Sequence, residues 1–148
     1  QRLKEITADY HIAVLSDSNR EVKMYLREID KGNKKKVTYT KGSTLFDIFK
    51  DYELRQMQTL GELVGEDAQY DLIKQDVQGA EIMVMNGAPK IFKRAKYIIQ
   101  EVNIHKDDAF PDMPAEKEMD DYMLDLGFKH NKIIERKDDA DQLDKIYF

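Results

Sequence analysis

Cysteine is absent from all 148 residues of this chain, and long apolar runs are absent as well. The lack of cysteine excludes disulfide bonds, thiolate metal sites and thiol nucleophiles. No apolar run is long enough to cross a membrane, and the first residues do not have the pattern of a secretory leader. We therefore expect a cytoplasmic protein without a membrane segment.

An excess of basic residues is also absent. The chain has 24 lysines and arginines against 29 aspartates and glutamates, which gives a net charge of −5. Non-specific nucleic-acid binding requires a basic face that neutralises phosphates, so we expect no nucleic-acid partner. The length and the 41% hydrophobic content suit one domain with its own core.

The hydrophobic pattern changes along the chain between strand-like and helix-like segments, which indicates an α/β fold. The predicted strands are residues 11–15, a hairpin-like pair or edge element at 21–27 and 36–40, and residues 70–77, 97–104, 128–136 and 143–148. The predicted helical segments are a short turn at 44–52, a capped helix after Thr59, and residues 80–85, 91–95 and 114–127.

Acidic side chains stand at the carboxyl ends of the predicted strands. Asp76 ends an apolar strand before the chain turns through Gly79, and Glu101 lies near the end of the next strand. Ser16 and Asp17 end the first predicted strand. Because ligands of open α/β sheets bind beyond the carboxyl ends of the strands, we expect these side chains to share one sheet edge and to take part in chemistry.

A purely structural interpretation also exists for Asp76, for Ser16 and Asp17, and for Glu81, a further candidate next to Asp76. Asp76 is suited to be the N-cap of the following helix, and Glu81 to be a carboxylate in the first turn of that helix. Ser16 and Asp17 are typical of a turn in which a side chain bonds the backbone. Both interpretations of each residue remain open at this point.

The roles of two further groups, Lys74 and the pair of Glu101 and His105, depend on the side chains around them. Lys74 lies inside an apolar strand, which is costly unless its ammonium pairs with a carboxylate such as Asp76 or Glu101 or reaches the surface. Of these two, we expect the buried ion pair. Glu101 and His105 could act as a base or, together with Asp76, bind a divalent cation. Their spacing matches no strong metal motif, so no metal is predicted.

Six segments, in the same order along the chain, resemble the FkbM-type S-adenosylmethionine-dependent methyltransferases. They are AVLSD at 13–17, GSTLF at 42–46, TLGEL at 59–63, DLIKQDVQGAE at 71–81, VMNGA at 84–88 and IIQEV at 98–102. Residues 119–128 are similar to the closing helix of that family. The resemblance implies a Rossmann-like class I methyltransferase sheet of order 3-2-1-4-5-7-6, with S-adenosyl-L-methionine as the cofactor.

The resemblance also implies roles for individual residues. Ser16 and Asp17 correspond to contacts with the adenine end of the cofactor, and Asp76 is expected to face the methyl donor and the acceptor. The candidate catalytic residues are therefore Asp76, Glu81, Glu101 and His105, and the candidate cofactor-binding residues are Ser16, Asp17 and Asp76. The expected reaction is O-methylation of a sugar or another small hydroxylated metabolite.

Two parts of the family pattern have no counterpart in this chain. Its seven glycines never have the G-x-G spacing of a cofactor loop, and the first two strands of the implied sheet are missing. We therefore expect residues 1–148 to be one partial methyltransferase domain, from about strand 3 to strand 7. A trimmed amino-terminal segment, or a second copy in a homo-oligomer, would fill the gap between the unpaired strand edges.

The missing loop supports a second hypothesis from another functional class, a non-catalytic remnant of the methyltransferase fold that serves assembly. A third hypothesis, a nucleotide-sugar transferase with a D-x-D metal motif, is disfavoured because Asp76-Val-Gln lacks the second acid.

Overall fold

The computed structural model describes residues 11–29, 37–44, 52–77, 79–104, 114–136 and 142–148. These residues contain two four-stranded sheets and four helices. None of the described helices combines the length and the apolar character that a membrane crossing requires.

The first sheet has the strand order β1-β4-β2-β3. Its strands are β1 (Val14–Leu15), β2 (Glu21–Ile29), β3 (Val37–Thr44) and β4 (Tyr52–Gln58). Strands β2 and β3 are antiparallel, which confirms the predicted hairpin-like pair. Strand β4 pairs parallel to β1 and antiparallel to β2.

Strand β4 was not predicted from the sequence, because most of its side chains are exposed and charged residues interrupt its apolar pattern. Pairing on both sides, rather than local propensity, makes this segment a strand. The helical turn expected at 44–52 is wrong at its ends, since Thr44 ends β3 and Tyr52 begins β4. Residues 45–51 lie outside the described residues.

The second sheet has the strand order β5-β6-β8-β7. Its strands are β5 (Leu72–Gln75), β6 (Tyr97–Asn103), β7 (Asn131–Arg136) and β8 (Gln142–Tyr147). Strands β5 and β6 are parallel, and β8 is antiparallel to both of its neighbours. This order corresponds to the 4-5-7-6 part of the expected sheet. The full order is not confirmed, because β1, the expected third strand, lies in the first sheet.

The helices begin and end at local signals in the sequence. They are α1 (Leu60–Val64), α2 (Glu81–Asn86), α3 (Pro89–Arg94) and α4 (Glu116–Leu126). Thr59 forms the predicted capping box with Glu62 at the start of α1. Gly127 ends α4 with a φ of 113°, a left-handed conformation that glycine adopts without a side-chain penalty.

Helices α2, α3 and α4 cover one face of the second sheet. On that face Ile98 and Val102 of β6 lie opposite Tyr147 and Leu143 of β8. The core side chains from the helices are Val84, Met85, Ile91, Phe92, Met119 and Met123. One polar pair lies among them, in which the Gln100 amide donates to Gln75 Oε1 at 2.6 Å. This packed layer fixes the end of β5 and the start of α2.

Candidate active site

The loop between β5 and α2 carries the most prominent candidate of the sequence, Asp76. Asp76 is exposed and follows the last residue of β5. The N-cap of α2 is Ala80, so the N-cap interpretation of Asp76 is wrong. Gly79 in this loop has a φ of 100°, which explains why glycine occupies the position.

Glu81, the first residue of α2, holds this loop through both of its carboxylate oxygens. Oε1 accepts a hydrogen bond from the backbone N–H of Val77 at 3.1 Å, and Oε2 accepts one from Gly79 at 3.0 Å. The first-turn interpretation of Glu81 is therefore confirmed. The Glu81 carboxylate thus accepts hydrogen bonds from backbone N–H groups that precede α2 and that have no acceptor within the helix.

The environment of Glu81 changes its acidity. The side chain is 0% exposed, and this burial raises the pKa of the carboxyl above its ordinary value, against the opposite effect of the backbone hydrogen bonds. The charge of nearby Glu101 raises this pKa further. The structure thus brings Glu81 and Glu101 into electrostatic contact.

Glu101 lies near the carboxyl end of β6, directly opposite Asp144 of β8. Both side chains are buried, at 1% and 2% exposure. Directly opposite residues of antiparallel strands have Cβ atoms about 5 Å apart, and like charges at such positions repel. A nearby cation would stabilise the two carboxylates in their charged form.

Lys74 supplies a positive charge to this pair. Its Nζ lies 3.1 Å from Asp144 Oδ2, and its side chain is 50% exposed. The expected buried pair with Asp76 or Glu101 is wrong, since the partner is Asp144 and the Lys74 side chain is half exposed. One signal could have identified Asp144, because Asp144 and Lys145 interrupt the apolar pattern of β8.

Asn103 is a second residue that the sequence analysis missed. It ends β6, two residues after Glu101, and is 0% exposed. Within the described part of the chain, neither its side-chain oxygen nor its nitrogen has a hydrogen-bond partner. Buried amides without partners are uncommon in folded proteins. Asn103 therefore adds a polar group at the carboxyl end of β6.

Ser16 and Asp17 form a hydrogen-bonded turn after β1. Asp17 Oδ1 accepts hydrogen bonds from Ser16 Oγ at 2.9 Å, Ser18 Oγ at 2.9 Å and Arg20 Nη1 at 2.7 Å. The bonds from Ser18 and Ser16, together with the Arg20 guanidinium, lower the pKa of Asp17. A local turn is thus present, and the contact of these residues with a cofactor stays a prediction.

Ser16 also packs against Gly87, the residue that follows α2. A Cβ atom added to Gly87 would lie 2.0 Å from the Ser16 carbonyl oxygen and 3.1 Å from Asp17 Cα. The expectation of one shared sheet edge is confirmed for Asp76 and Glu101, because β5 and β6 are parallel neighbours, but it is wrong for Ser16 and Asp17. β1 and β5 belong to different sheets. Ser16 meets the carboxyl end of α2, whereas Asp76 precedes its amino end.

The alternative interpretation of Asp76, Glu101 and His105 is a divalent-metal site. Across the described ranges, no three acidic or histidine side chains lie close enough together to hold a metal ion. His105 lies outside the described residues, so its role as a base or a ligand stays a prediction.

A family model for the methyltransferase FkbM domain matches residues 4–130. No curated protein and no solved structure matches the chain. The matched span contains the Ser16 and Asp17 turn, the loop with Asp76 and Glu81, and the buried Glu101. The chain therefore belongs to the methyltransferase FkbM family.

Proposed function

We propose that this protein transfers a methyl group from S-adenosyl-L-methionine to a hydroxyl of a sugar or another small hydroxylated metabolite. Membership of the family supports methyltransferase activity, and the cofactor and the acceptor are our proposals. The observation that carries them is the exposed Asp76 at the carboxyl end of β5, in a loop that Glu81 holds. We also propose a cytoplasmic location, on the cysteine-free composition.

The chemistry assigns a simple task to Asp76. When bound, S-adenosyl-L-methionine would supply the methyl group and, as its carbon–sulfur bond breaks, would leave as S-adenosyl-L-homocysteine. The exposed Asp76 carboxylate is suited to accept a hydrogen bond from the acceptor hydroxyl. It then removes the hydroxyl proton as the new carbon–oxygen bond forms. We keep Glu101 and His105 as further catalytic candidates of this site.

Among the described residues, Asp17 is suited to bind one part of the cofactor. Asp17 uses Oδ1 for its three hydrogen bonds, and its side chain is 42% exposed, so Oδ2 can accept a bond from a hydroxyl or an amino group. No glycine pair has the G-x-G spacing of a cofactor loop. We propose that a preceding segment or a second copy supplies that loop to the partial domain.

Calorimetry with S-adenosyl-L-homocysteine, the demethylated cofactor, tests this proposal on the full-length protein. We expect binding by the wild type, weaker binding by Asp17→Asn, and a methyl-transfer rate in Asp76→Asn that is much lower than that of the wild type but still measurable. Asp71→Asn is the matched control, because Asp71 is also exposed near β5 but pairs with Lys96 at 2.6 Å. Absence of S-adenosyl-L-homocysteine binding by the wild type would refute the proposal.

One structural feature favours the second candidate function, assembly without catalysis. Among the described strands, β1 and β5 lie at the edges of their sheets, and an exposed edge can pair with another strand. Sedimentation of the full-length protein tests this candidate. A stable oligomer that does not bind S-adenosyl-L-homocysteine would favour assembly over methyl transfer.

A further inference from the structure

Glu81 is placed to hold the site loop and not to meet a substrate. Its side chain is 0% exposed. Its two oxygens are engaged by the backbone N–H groups of Val77 and Gly79, at 3.1 Å and 3.0 Å. Asp76, which is exposed, directly precedes Val77 in the chain. A group this deeply buried does not contact the methyl acceptor.

These contacts close a ring in the chain. The backbone runs from Val77 to Glu81, and the Glu81 side chain returns to the N–H of Val77. The peptide that joins Asp76 to Val77 therefore cannot rotate without leaving an amide unpaired. Gly79 contributes the second amide, from a φ of 100° that few other residues adopt.

The ring is anchored in the hydrophobic core. Glu81 begins α2, in which Val84 and Met85 are 2% and 0% exposed. Because core packing fixes the backbone of Glu81, the hydrogen bonds of its side chain also fix the position of the loop. The direction in which Asp76 projects is thus tied to the core through the Glu81 carboxylate.

We infer that Glu81 is a positioning residue that acts through Asp76, by holding the peptide from which the Asp76 side chain projects. The inference deepens the proposed function and rests on it for its kinetic consequence. It assigns to Glu81 an indirect role, in which the carboxylate takes no proton from the acceptor.

A double-mutant cycle on the full-length protein tests the inference. Glu81→Gln preserves the size of the side chain but replaces one of its two acceptor oxygens by an amide N–H donor, so at least one of the two bonds to the loop is lost. We expect kcat to fall by about 10-fold to 100-fold, with little change in the affinity for S-adenosyl-L-homocysteine. In an Asp76→Asn background the same substitution should change the residual kcat by less than about 2-fold.

Glu62→Gln is the matched control, because Glu62 bonds the Thr59 backbone N–H at the start of α1 in a similar way. It should leave kcat unchanged. Amide hydrogen exchange supplies a measurement that does not depend on activity, since at least one of the Val77 and Gly79 amides should exchange faster in Glu81→Gln. Thermal unfolding shows whether each variant is folded.

The outcomes separate the inference from the proposed function. An equal fall of kcat in both backgrounds, or unchanged exchange of the two amides, overturns the inference. A lower melting temperature with unchanged kcat overturns it as well. A wild-type protein that transfers no methyl group refutes the proposed function, and the exchange rates then still decide whether Glu81 holds the loop.

Discussion

Lys74 of β5 and Asp144 of β8 form an ion pair that reaches across β6, with 3.1 Å between Nζ and Oδ2. Asp144 lies opposite Glu101, so the ammonium compensates part of a buried acidic pair. The contact joins two strands that do not hydrogen-bond each other.

Replacement of Lys74 by methionine should destabilise the protein. The change leaves Asp144, at 3% side-chain exposure, opposite Glu101 without this cation. We expect the free energy of unfolding to fall by about 1–3 kcal/mol, because the half-exposed ammonium is partly screened by solvent. Urea denaturation measures this fall. Lys96→Met is the control, since its pair with Asp71 is solvent-exposed, and an equal effect of both changes would contradict the argument.

Replacement of Gly87 by alanine should separate Ser16 from α2. The added Cβ would lie 2.0 Å from a backbone oxygen that cannot rotate away. We expect a loss of about 1–3 kcal/mol in stability, together with weaker binding of S-adenosyl-L-homocysteine through the displaced Asp17. Denaturation and calorimetry measure the two effects.

Gly127→Ala serves as the control for Gly87→Ala. Gly127 has a φ of 113° but open space around a Cβ, so the change costs about 1 kcal/mol through backbone strain alone. Cofactor affinity should not change. If both alanine variants bind equally well, the contact of Ser16 with Gly87 does not position the turn.

The raised pKa of Glu81 predicts a specific pH dependence of stability. Below the ordinary pKa of 4.5, the carboxyl is protonated in both the folded and the unfolded chain. As the pH rises from there through the raised pKa, the unfolded chain releases its proton first, so the stability of the folded protein falls. Glu81→Gln cannot ionise and should lack this fall. Unfolding free energies measured across this pH range should therefore diverge between the two proteins, and parallel profiles would contradict the prediction.

Replacement of Lys145 by methionine should have a larger effect than the Lys74 change. Lys145 is 4% exposed, and its Nζ lies 2.7 Å from both Glu116 Oε1 and Asp120 Oδ2 of α4. Its removal leaves two acids without their cation, so we expect a loss of about 3–5 kcal/mol. Thermal and urea denaturation test this. Lys117→Met, in the exposed pair with Asp121 on the same helix, should change stability little.

Much of the local structure could be predicted, because its causes lie within a few residues of each other. The capping box at Thr59 and the helix end at Gly127 are examples, and both are confirmed. The loop with Asp76 at the end of β5 was predicted in the same way. The bonds that Glu81 makes to this loop also act over four residues or fewer, so its first-turn position was accessible from the spacing.

The sequence by itself determined the helices, most of the strands and the family resemblance, because these depend on local spacing. Tertiary structure decided which strands share a sheet: β1 pairs with β4 in the first sheet, whereas β5 belongs to the second sheet. It also decided that Lys74 meets Asp144, 70 residues away along the chain, and that Ser16 meets Gly87. Such contacts depend on the packing of distant segments, which no local pattern of residues encodes.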